Sequence, residues 1–276
     1  MTHSRNSVRG SAGPAVLLAL LLLILVGVTV VLFASHAYSP PSPITAEGRL
    51  TDQQYGRTLW VAGVIFILAQ LALAYAALRF RDRGRPARFI RGNNALEVVW
   101  TLATVVLFVG LSVMGRRAWA DARLGAAPAD AVQIEVTTTQ FVYTFRYPGP
   151  DGKFGRLDPN LVSASTGNPL GLDPNDAAGK DDIVVPVLTV PANRPVELLI
   201  RSQDVVHNFF VRELRLQQDA VPGMVIPVNF TADRVGRYEI VCTQLCGQGH
   251  NTMRSFLNVV PEPEYESFLK QQAVGQ

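Results

Sequence analysis

The chain has 276 residues, of which 17% are charged and 48% are hydrophobic. Soluble globular proteins hold about 25% charged residues, so a single soluble domain is excluded as the simplest interpretation. Residues 1–119 carry 12 Arg and 4 acids, a net charge of +8, whereas residues 120–276 carry 13 Lys+Arg and 18 acids, a net charge of −5. The positive excess therefore lies in the apolar half, which argues against a basic nucleic-acid-binding domain. Two cysteines and no Cys-x-x-Cys-His exclude a disulfide framework and covalent haem.

Three apolar stretches cover about residues 15–34, 59–78 and 95–114. Each is near the roughly 20 residues that a helix needs to cross the hydrocarbon core of a membrane. Six arginines lie in the short loop 79–91 between the second and third stretches. Such loops remain cytoplasmic, so the second and third stretches are predicted to form a helical hairpin. Everything after Met114 is then expected on the outer side.

The first apolar stretch has two interpretations. It follows a short basic segment and precedes Ser35-His36-Ala37, whose small residues suit signal peptidase. A signal core usually has about 7 to 15 residues, fewer than this stretch. A cleaved signal peptide and a permanent span therefore both stay open. The predicted divisions are residues 1–54 for this signal or span and its linker, 55–119 for the hairpin, and 120–276 for the outer domain.

From about residue 131 the hydrophobic period changes to that of strands, and several short β-rich runs follow. The first run alternates Val132, Ile134 and Val136 with polar residues; the others are at 183–190, 196–201, 225–231, 236–242 and 254–260. Short strands with turn signals between them predict an antiparallel sandwich or barrel.

Residues 148–182 interrupt the β-rich runs with five Pro, six Gly and six Asp, a composition that predicts a long surface loop. Its Asp173, Asn175, Asp176 and Asp181 are a weak candidate for a cation site.

A set of soft metal ligands lies near the C-terminus. Cys242, Cys246, His250 and Met253 share one short segment, and His207 lies 35 residues before Cys242. Thiols, imidazoles and a thioether suit copper. One thiol with both imidazoles and the methionine would make a mononuclear blue-copper site. The second thiol allows both sulfurs to bridge two metals, which predicts a binuclear copper centre that relays electrons.

Two other sites fit some of these residues. A disulfide between Cys242 and Cys246 suits an oxidising compartment, but it leaves the two histidines and Met253 unexplained. A structural zinc ion accepts two cysteines and two histidines in a tetrahedron, but it gives Met253 no role. On ligand chemistry alone, both alternatives stay open.

Three motifs together resemble subunit II of the haem-copper oxidases of the cytochrome c oxidase type. They are Cys-x-x-x-Cys-Gly-x-Gly-His-x-x-Met at 242–253, Asp-Val-Val-His at 204–207 and Gln-Asp-Ala-Val-Pro-Gly at 218–223. The segment 94–101, Asn-Ala-Leu-Glu-Val-Val-Trp-Thr, is similar to the start of that family's second helix. The resemblance covers about residues 55–262. It implies a membrane-anchored all-β protein, in which a transmembrane helical hairpin precedes a cupredoxin-like Greek-key β-sandwich.

The same resemblance implies a binuclear copper centre, CuA, with six ligand residues. Cys242 and Cys246 would bridge the coppers, His207 and Met253 would complete one copper, and His250 and the backbone carbonyl of Gln244 would complete the other.

Other positions are implied by the resemblance as well. Glu97 matches the mouth of a proton channel that leads into the catalytic subunit, although a carboxylate at a helix start also suits the helix dipole. Asp219 matches an acid near an interface magnesium, and Gln244 replaces the Glu that binds this metal in many members. Phe141 replaces the Trp that takes the electron from cytochrome c, so Phe141 and Tyr143 are the candidate first electron acceptors.

The implied function is electron uptake from cytochrome c and delivery to haem in subunit I, which holds CuB, reduces oxygen to water and translocates protons. Subunit III and membrane lipid are further expected partners, and the outer domain would lie outside the plasma (inner) membrane, in the periplasm or the extracellular space. The net charge of −5 suggests steering of a basic cytochrome c, with Asp204, Glu213 and Asp219 as candidate contacts. The alternatives are a CuA subunit of a nitric oxide reductase and a membrane-anchored copper-binding module.

Overall fold

The computed structural model describes residues 12–35, 39–81, 83, 89, 91–123 and 125–274. The chain divides into two compact units, one of residues 1–40 and 53–116 and one of residues 41–52 and 117–276. The basic segment before residue 12, His36 and Ala37 of the candidate cleavage site, and part of the arginine loop lie outside the described residues.

Among the described residues, three helices are long and apolar enough to cross a membrane: α1 (Ala12–Ala34), α2 (Ala46–Arg79) and α3 (Asn94–Arg123). Their most apolar windows have mean hydropathies of 3.3, 2.3 and 2.2. Each predicted apolar stretch lies inside one of these helices. The helices are longer than the apolar stretches, because apolar residues mark only the part of a helix that lies in the hydrocarbon core. The backbone hydrogen bonds of the helix continue into the polar residues on either side. The chain is therefore anchored in a membrane.

In the described part of the chain after α3, residues 125–274, ten strands and a further helix follow. The strands are β1 (Val132–Thr139), β2 (Val142–Tyr147), β3 (Ile183–Val185), β4 (Leu188–Pro191), β5 (Pro195–Ser202), β6 (His207–Val211), β7 (Leu216–Ala220), β8 (Ile226–Thr231), β9 (Gly236–Val241) and β10 (Arg254–Val260), and the helix is α4 (Glu262–Val274). They form two five-stranded sheets with the orders β3-β2-β1-β5-β8 and β4-β10-β9-β6-β7. The core lies between the sheets, as the strict alternation of buried residues along β5 illustrates.

The sandwich is mixed rather than antiparallel as predicted, because β1 pairs in parallel with β5 and β4 pairs in parallel with β10. The chain leaves the first sheet after β3 and crosses to the second sheet as β4. It then returns as β5 in the same direction as β1. The predicted run 183–190 is accordingly two strands in two different sheets, β3 and β4.

One end of the sandwich, here called the ligand end, gathers four loops. β1, β5, β7 and β9 end there, and β2, β6, β8 and β10 begin there. The loops are 140–141, 203–206, 221–225 and 242–253. Residues that are distant in sequence therefore meet at this end.

The segment 148–182, predicted as a surface loop, is held against the sandwich by a buried arginine. Arg146 on β2 is only 2% exposed, and its guanidinium binds Glu135 on β1. It also donates to the carbonyl of Gly155 at 2.8 Å and to Asp182 at 2.8 Å, both in the segment. A further guanidinium, that of Arg201, pairs with Glu135. Two arginines and two acids thus form a charge-balanced cluster under this segment.

Protein donors already engage two of the acidic residues predicted for the cation site, Asp173 and Asp176. The Arg156 guanidinium lies 2.9 Å from Asp173 and 3.7 Å from Asp176. The Arg156 backbone N–H also donates to Asp176, and this hydrogen bond lowers the pKa of Asp176. The backbone N–H of Asn175 donates to Asp173. These contacts favour an ordered surface segment over a cation site.

Residues 41–52, here called the strap, belong to the same unit as the β-sandwich. Ile44 has no exposed surface and is part of the sandwich core. Its N–H donates to the carbonyl of Glu213 at 3.0 Å, and its carbonyl accepts from the N–H of Asp233 at 2.9 Å. The strap therefore completes the core at the end opposite the ligand end.

Charged side chains hold both ends of the strap. The Arg215 guanidinium donates to Asp52 at 2.7 and 2.8 Å and to the carbonyl of Pro41 at 2.6 Å. Arg49 pairs with Asp233 at 2.7 Å. We therefore propose an outer domain made of residues 41–52 and 117–276 rather than one that begins at residue 120.

We expect Ile44→Val to lower the free energy of unfolding of the outer domain by about 1 kcal/mol, the usual cost of removing one buried methylene. Amide hydrogen exchange of the core strands in the detergent-solubilised chain measures this loss. Val235→Ala is the matched control, because Val235 is exposed. Equal exchange rates in the two variants would contradict the place of Ile44 in the core.

Candidate metal centre

A β-hairpin and a neighbouring strand deliver five of the predicted ligand residues. Cys242 follows β9 and Met253 precedes β10, and the N–H of Cys242 donates to the carbonyl of Met253 at 3.3 Å. Cys246 and His250 lie in the loop that this contact closes. His207 is the first residue of β6, which lies beside β9 in the sheet. The strand pairing therefore fixes where each ligand loop begins.

The sulfur of Cys246 lies at the centre of the site. It is 3.8 Å from the sulfur of Cys242, 3.6 Å from Nδ1 of His250 and 3.9 Å from the sulfur of Met253. Both cysteines are free, and both are buried. Burial, followed by the proximity of Cys242, raises the pKa of the Cys246 thiol to about 11. A bound cation reverses this preference, because metal coordination deprotonates thiols.

His207 and Gln244 join the same cluster. One ligand atom each from His207, Cys242 and Cys246 lies within 4.8 Å of the other two. The carbonyl oxygen of Gln244 is 3.1 Å from the sulfur of Cys242. All six predicted ligand residues are thus brought together at the ligand end.

Asp204 orients the buried imidazole of His207. Its Oδ1 lies 2.7 Å from Nε2 of His207, and its Oδ2 accepts from the N–H of Gln140 at 2.7 Å. Burial acts to raise the pKa of Asp204, but these hydrogen bonds outweigh it and the pKa lies below its ordinary value. Nδ1 of His207 is buried and has no hydrogen-bond partner among the described residues. A buried free nitrogen beside two thiols and a thioether fits a soft metal such as copper.

The two candidate electron acceptors differ in position. Tyr143 is buried, and its hydroxyl donates to the carbonyl of Asn208 at 2.6 Å. Burial raises its pKa well above the ordinary value. Phe141 is only partly buried and packs against Gly247 and Gly249 of the ligand loop. Of the two, Phe141 therefore lies closer to the surface at the ligand end.

The three acidic residues predicted to steer cytochrome c do not all lie at the ligand end. Asp204 lies in a ligand-end loop, and Asp219 pairs with Asn208, which donates to it at 2.7 Å. Glu213 lies two residues beyond Val211, the far end of β6, which is about 13 Å from His207 at roughly 3.3 Å per residue. It packs beside the strap, so Glu213 does not lie near the ligand end, and its role in steering cytochrome c stays a prediction.

Glu97 lies in the first turn of α3, in the other unit, with an exposed side chain. Asn93 caps this helix, since its side-chain oxygen accepts from the N–H of Leu96 at 3.2 Å. The position suits a helix N-terminal carboxylate, and a proton-channel role for Glu97 stays a prediction.

Sequence reasoning missed the contribution of Gln140 and took Asp204 only as a steering acid. The side-chain amide of Gln140 donates to the carbonyl of Cys246 at 2.6 Å. The position of Asp204, three residues before His207, was a usable signal for its orienting role. No local signal connects Gln140 with Cys246, because 106 residues separate them.

Comparisons with known proteins agree on one family. Residues 175–260 match the family model of the cytochrome c oxidase subunit II periplasmic domain. The chain is 35% identical over 257 residues to the alternative cytochrome c oxidase subunit 2 of Bradyrhizobium diazoefficiens, covering 91% of each chain. It is 27% identical to cytochrome c oxidase subunit 2 of Cereibacter sphaeroides, covering 85% of this chain and 78% of the relative. The solved periplasmic domain of a Bradyrhizobium japonicum subunit II superposes with a TM-score of 0.40 at 23% identity, covering 53% of this chain and 96% of that one. Because the first relative aligns along nearly its whole length, the chain belongs to the cytochrome c oxidase subunit II family.

Proposed function

We propose that this chain is the electron-accepting subunit of a respiratory haem-copper oxidase. It takes electrons from cytochrome c at a binuclear CuA centre and delivers them to haem in subunit I, where oxygen is reduced to water. The main support for the proposal is that six donor residues lie close together at the ligand end of the sandwich, in a chain with membrane-spanning helices.

The residues that would hold the centre divide into bridging and terminal ligands. Cys242 and Cys246 would bridge two coppers. His207 and Met253 would complete one copper, and His250 and the carbonyl of Gln244 would complete the other. When bound, a pair of thiolate-bridged coppers supplies a one-electron carrier.

The chain's own residues keep this site rigid and dry. His207, Cys242, Cys246 and Met253 are buried, which excludes water from most of the ligand set. His250 is only half-buried and is therefore the histidine ligand nearer to solvent. Strand pairing between β9 and β10 holds both ends of the ligand loop, so the donor atoms need to move little when the charge changes.

An apolar rim surrounds the ligand end and is our proposed docking surface for cytochrome c. It consists of the exposed side chains Val205, Met224, Val225 and Leu245, and Leu245 is 80% exposed. Exposed apolar clusters of this kind commonly mark interaction sites. The segments 205–211, 220–232 and 240–253 contain no Asp, Glu, Lys or Arg. The acidic excess of the outer domain therefore lies mainly elsewhere, and apolar contact rather than charge steering is expected to dominate docking.

We expect Leu245→Ala to raise the KM for cytochrome c about fivefold, which corresponds to the loss of roughly 1 kcal/mol of contact energy. The copper spectrum and kcat should be unchanged. Steady-state oxidase assays at several ionic strengths provide the measurement, with Val235→Ala at the opposite end as the control. A steep decline of the parent's rate with added salt would contradict apolar docking and support charge steering.

The proposed location and partners follow from the anchor and the family. The membrane helices anchor the chain, and the match to a periplasmic domain supports a sandwich on the outer side of the membrane. We propose the plasma (inner) membrane, with subunit I, its haem and CuB, subunit III and membrane lipid as partners. Glu97 is proposed as the mouth of a proton channel into subunit I, and Asp219 as a residue near an interface magnesium.

Copper quantitation and electron paramagnetic resonance of the purified complex test the proposal. We expect two coppers per chain and a seven-line hyperfine pattern, together with copurification of a larger haem-bearing subunit. One metal with a four-line or silent spectrum would favour a blue-copper or zinc site instead. Purification of the chain alone would favour a copper-binding module. The relatives, which are cytochrome c oxidase subunits, do not favour the nitric oxide reductase alternative.

A further inference from the structure

The turn between β1 and β2 touches both ligand loops. Gln140 in this turn donates its side-chain amide to the carbonyl of Cys246 at 2.6 Å. Its backbone N–H donates to Asp204 at 2.7 Å, and Asp204 in turn holds Nε2 of His207 at 2.7 Å. One residue therefore connects a candidate bridging cysteine with a candidate terminal histidine.

The contact between turn and loop is close enough to require glycine. A Cβ atom on Gly247 would lie 2.8 Å from the side-chain nitrogen of Gln140 and 3.0 Å from the ring of Phe141. A Cβ atom on Gly249 would lie 2.4 Å from the same ring. Because positions 247 and 249 are glycines, the side chains of Gln140 and Phe141 can pack directly against the backbone of the ligand loop. The side-chain amide of Gln140 therefore lies close to the backbone of Gly247 as well as to the carbonyl of Cys246.

The hydrogen-bond pattern sets the orientation of both ligands. With Nε2 of His207 hydrogen-bonded to Asp204, the unpartnered Nδ1 is the nitrogen left for a metal. The bond from Gln140 to the carbonyl of Cys246 restrains the backbone that carries the central sulfur. Partners of metal ligands commonly change metal affinity by about 10- to 100-fold when they are removed.

We infer that Gln140 is a positioning residue of the copper centre, which fixes the spacing between the Cys246 sulfur and the His207 imidazole. The inference rests on the proposed function, because it concerns the metal of that same site. Gln140 itself binds no metal. It acts through the Cys246 carbonyl and through Asp204.

Gln140→Met tests the inference, because methionine has a similar length and fills the same space but lacks the side-chain amide that donates to the carbonyl of Cys246. The backbone N–H that donates to Asp204 remains in this variant. We expect copper to be lost about tenfold more readily to a copper chelator, and the hyperfine splittings to change, in the purified complex. Gln248→Ala is the matched control, since Gln248 is an exposed glutamine of the ligand loop itself. Gln140→Asn, which keeps the amide on a shorter side chain, should restore part of the copper retention.

Copper retention and splittings in Gln140→Met equal to those of Gln248→Ala would overturn the inference. If Gln140→Met fails to fold, Gln140→Glu takes its place, because it keeps the size of the side chain and replaces the donor with an acceptor. It should then lose copper about tenfold more readily than the parent chain. Measurements on the parent chain distinguish a failure of the CuA proposal from a failure of the positioning role of Gln140. A parent without two coppers refutes CuA, whereas a difference between parent and Gln140→Met in retention of the bound metal still reports positioning.

Discussion

Cys246→Ser is expected to abolish the binuclear copper centre. The sulfur of Cys246 lies within 3.6–3.9 Å of the Cys242 sulfur, the His250 nitrogen and the Met253 sulfur, so it is the donor shared by the whole cluster. A serine hydroxyl is a hard, protonated group that does not bridge two soft metals. The seven-line spectrum should disappear, copper should fall to one ion per chain or fewer, and electron uptake from cytochrome c should be lost.

Leu245→Ala is the control for Cys246→Ser, because it changes the neighbouring residue in the same loop without touching a donor atom. It should retain the seven-line spectrum and two coppers. Persistence of that spectrum in Cys246→Ser would remove the bridging role of Cys246 and, with it, the main support for CuA.

Arg146→Met is expected to lower the free energy of unfolding of the outer domain by about 3–5 kcal/mol, the usual cost of breaking a buried ion pair on one side. Arg146 holds Glu135 and Asp182, all three of them buried, and it donates to the carbonyl of Gly155. Without the guanidinium, Asp182 keeps a buried charge with only the N–H of Gly155 to stabilise it. Amide hydrogen exchange of β1 and β2 in the detergent-solubilised chain reports the loss.

The loss in Arg146→Met should depend on pH with a definite sign. Burial already raises the pKa of Asp182, and removal of Arg146 should raise this pKa further. A raised carboxyl pKa means that the folded state binds the proton more tightly than the unfolded state, so stability falls as pH rises through the folded pKa. The deficit relative to the parent should therefore shrink on acidification.

Arg156→Met is the matched control for Arg146→Met. The Arg156 side chain is 74% exposed, although it also pairs with two acids of the same segment. Exposed ion pairs contribute little to stability, so its loss should be far smaller and nearly independent of pH. Equal losses in the two variants would contradict the buried charge cluster.

The features that the sequence predicted well are those encoded over short distances. Apolar runs of membrane-spanning length identified all three helices. The ligand set was visible because Cys242, Cys246, His250 and Met253 lie within one loop and share soft ligand chemistry. Alternation located β1, and short β-rich runs located β5, β8, β9 and β10.

The features that were missed depend on tertiary contacts. β6 is buried at four of its five positions, so it lacks the alternation that reveals a half-exposed strand. The parallel pairs follow from a crossover between sheets, which no local pattern encodes. The bond between Gln140 and Cys246 spans 106 residues, and that between Thr45 and Leu214 spans 169 residues. Only the folded chain brings such partners together.

The strap also determines what a water-soluble version of the copper-binding half must contain. A fragment that starts at residue 120 would lack Ile44, Asp52 and Arg49, leaving a void in the core and removing the partners of Arg215 and Asp233. Residues 41–52 and 117 onwards are separated by most of α2 and α3. The smallest complete form of this half is therefore assembled from two separate pieces of sequence. Joining residues 41–52 to the sandwich through a short flexible linker, or supplying them as a separate peptide, should recover stability that a simple truncation loses.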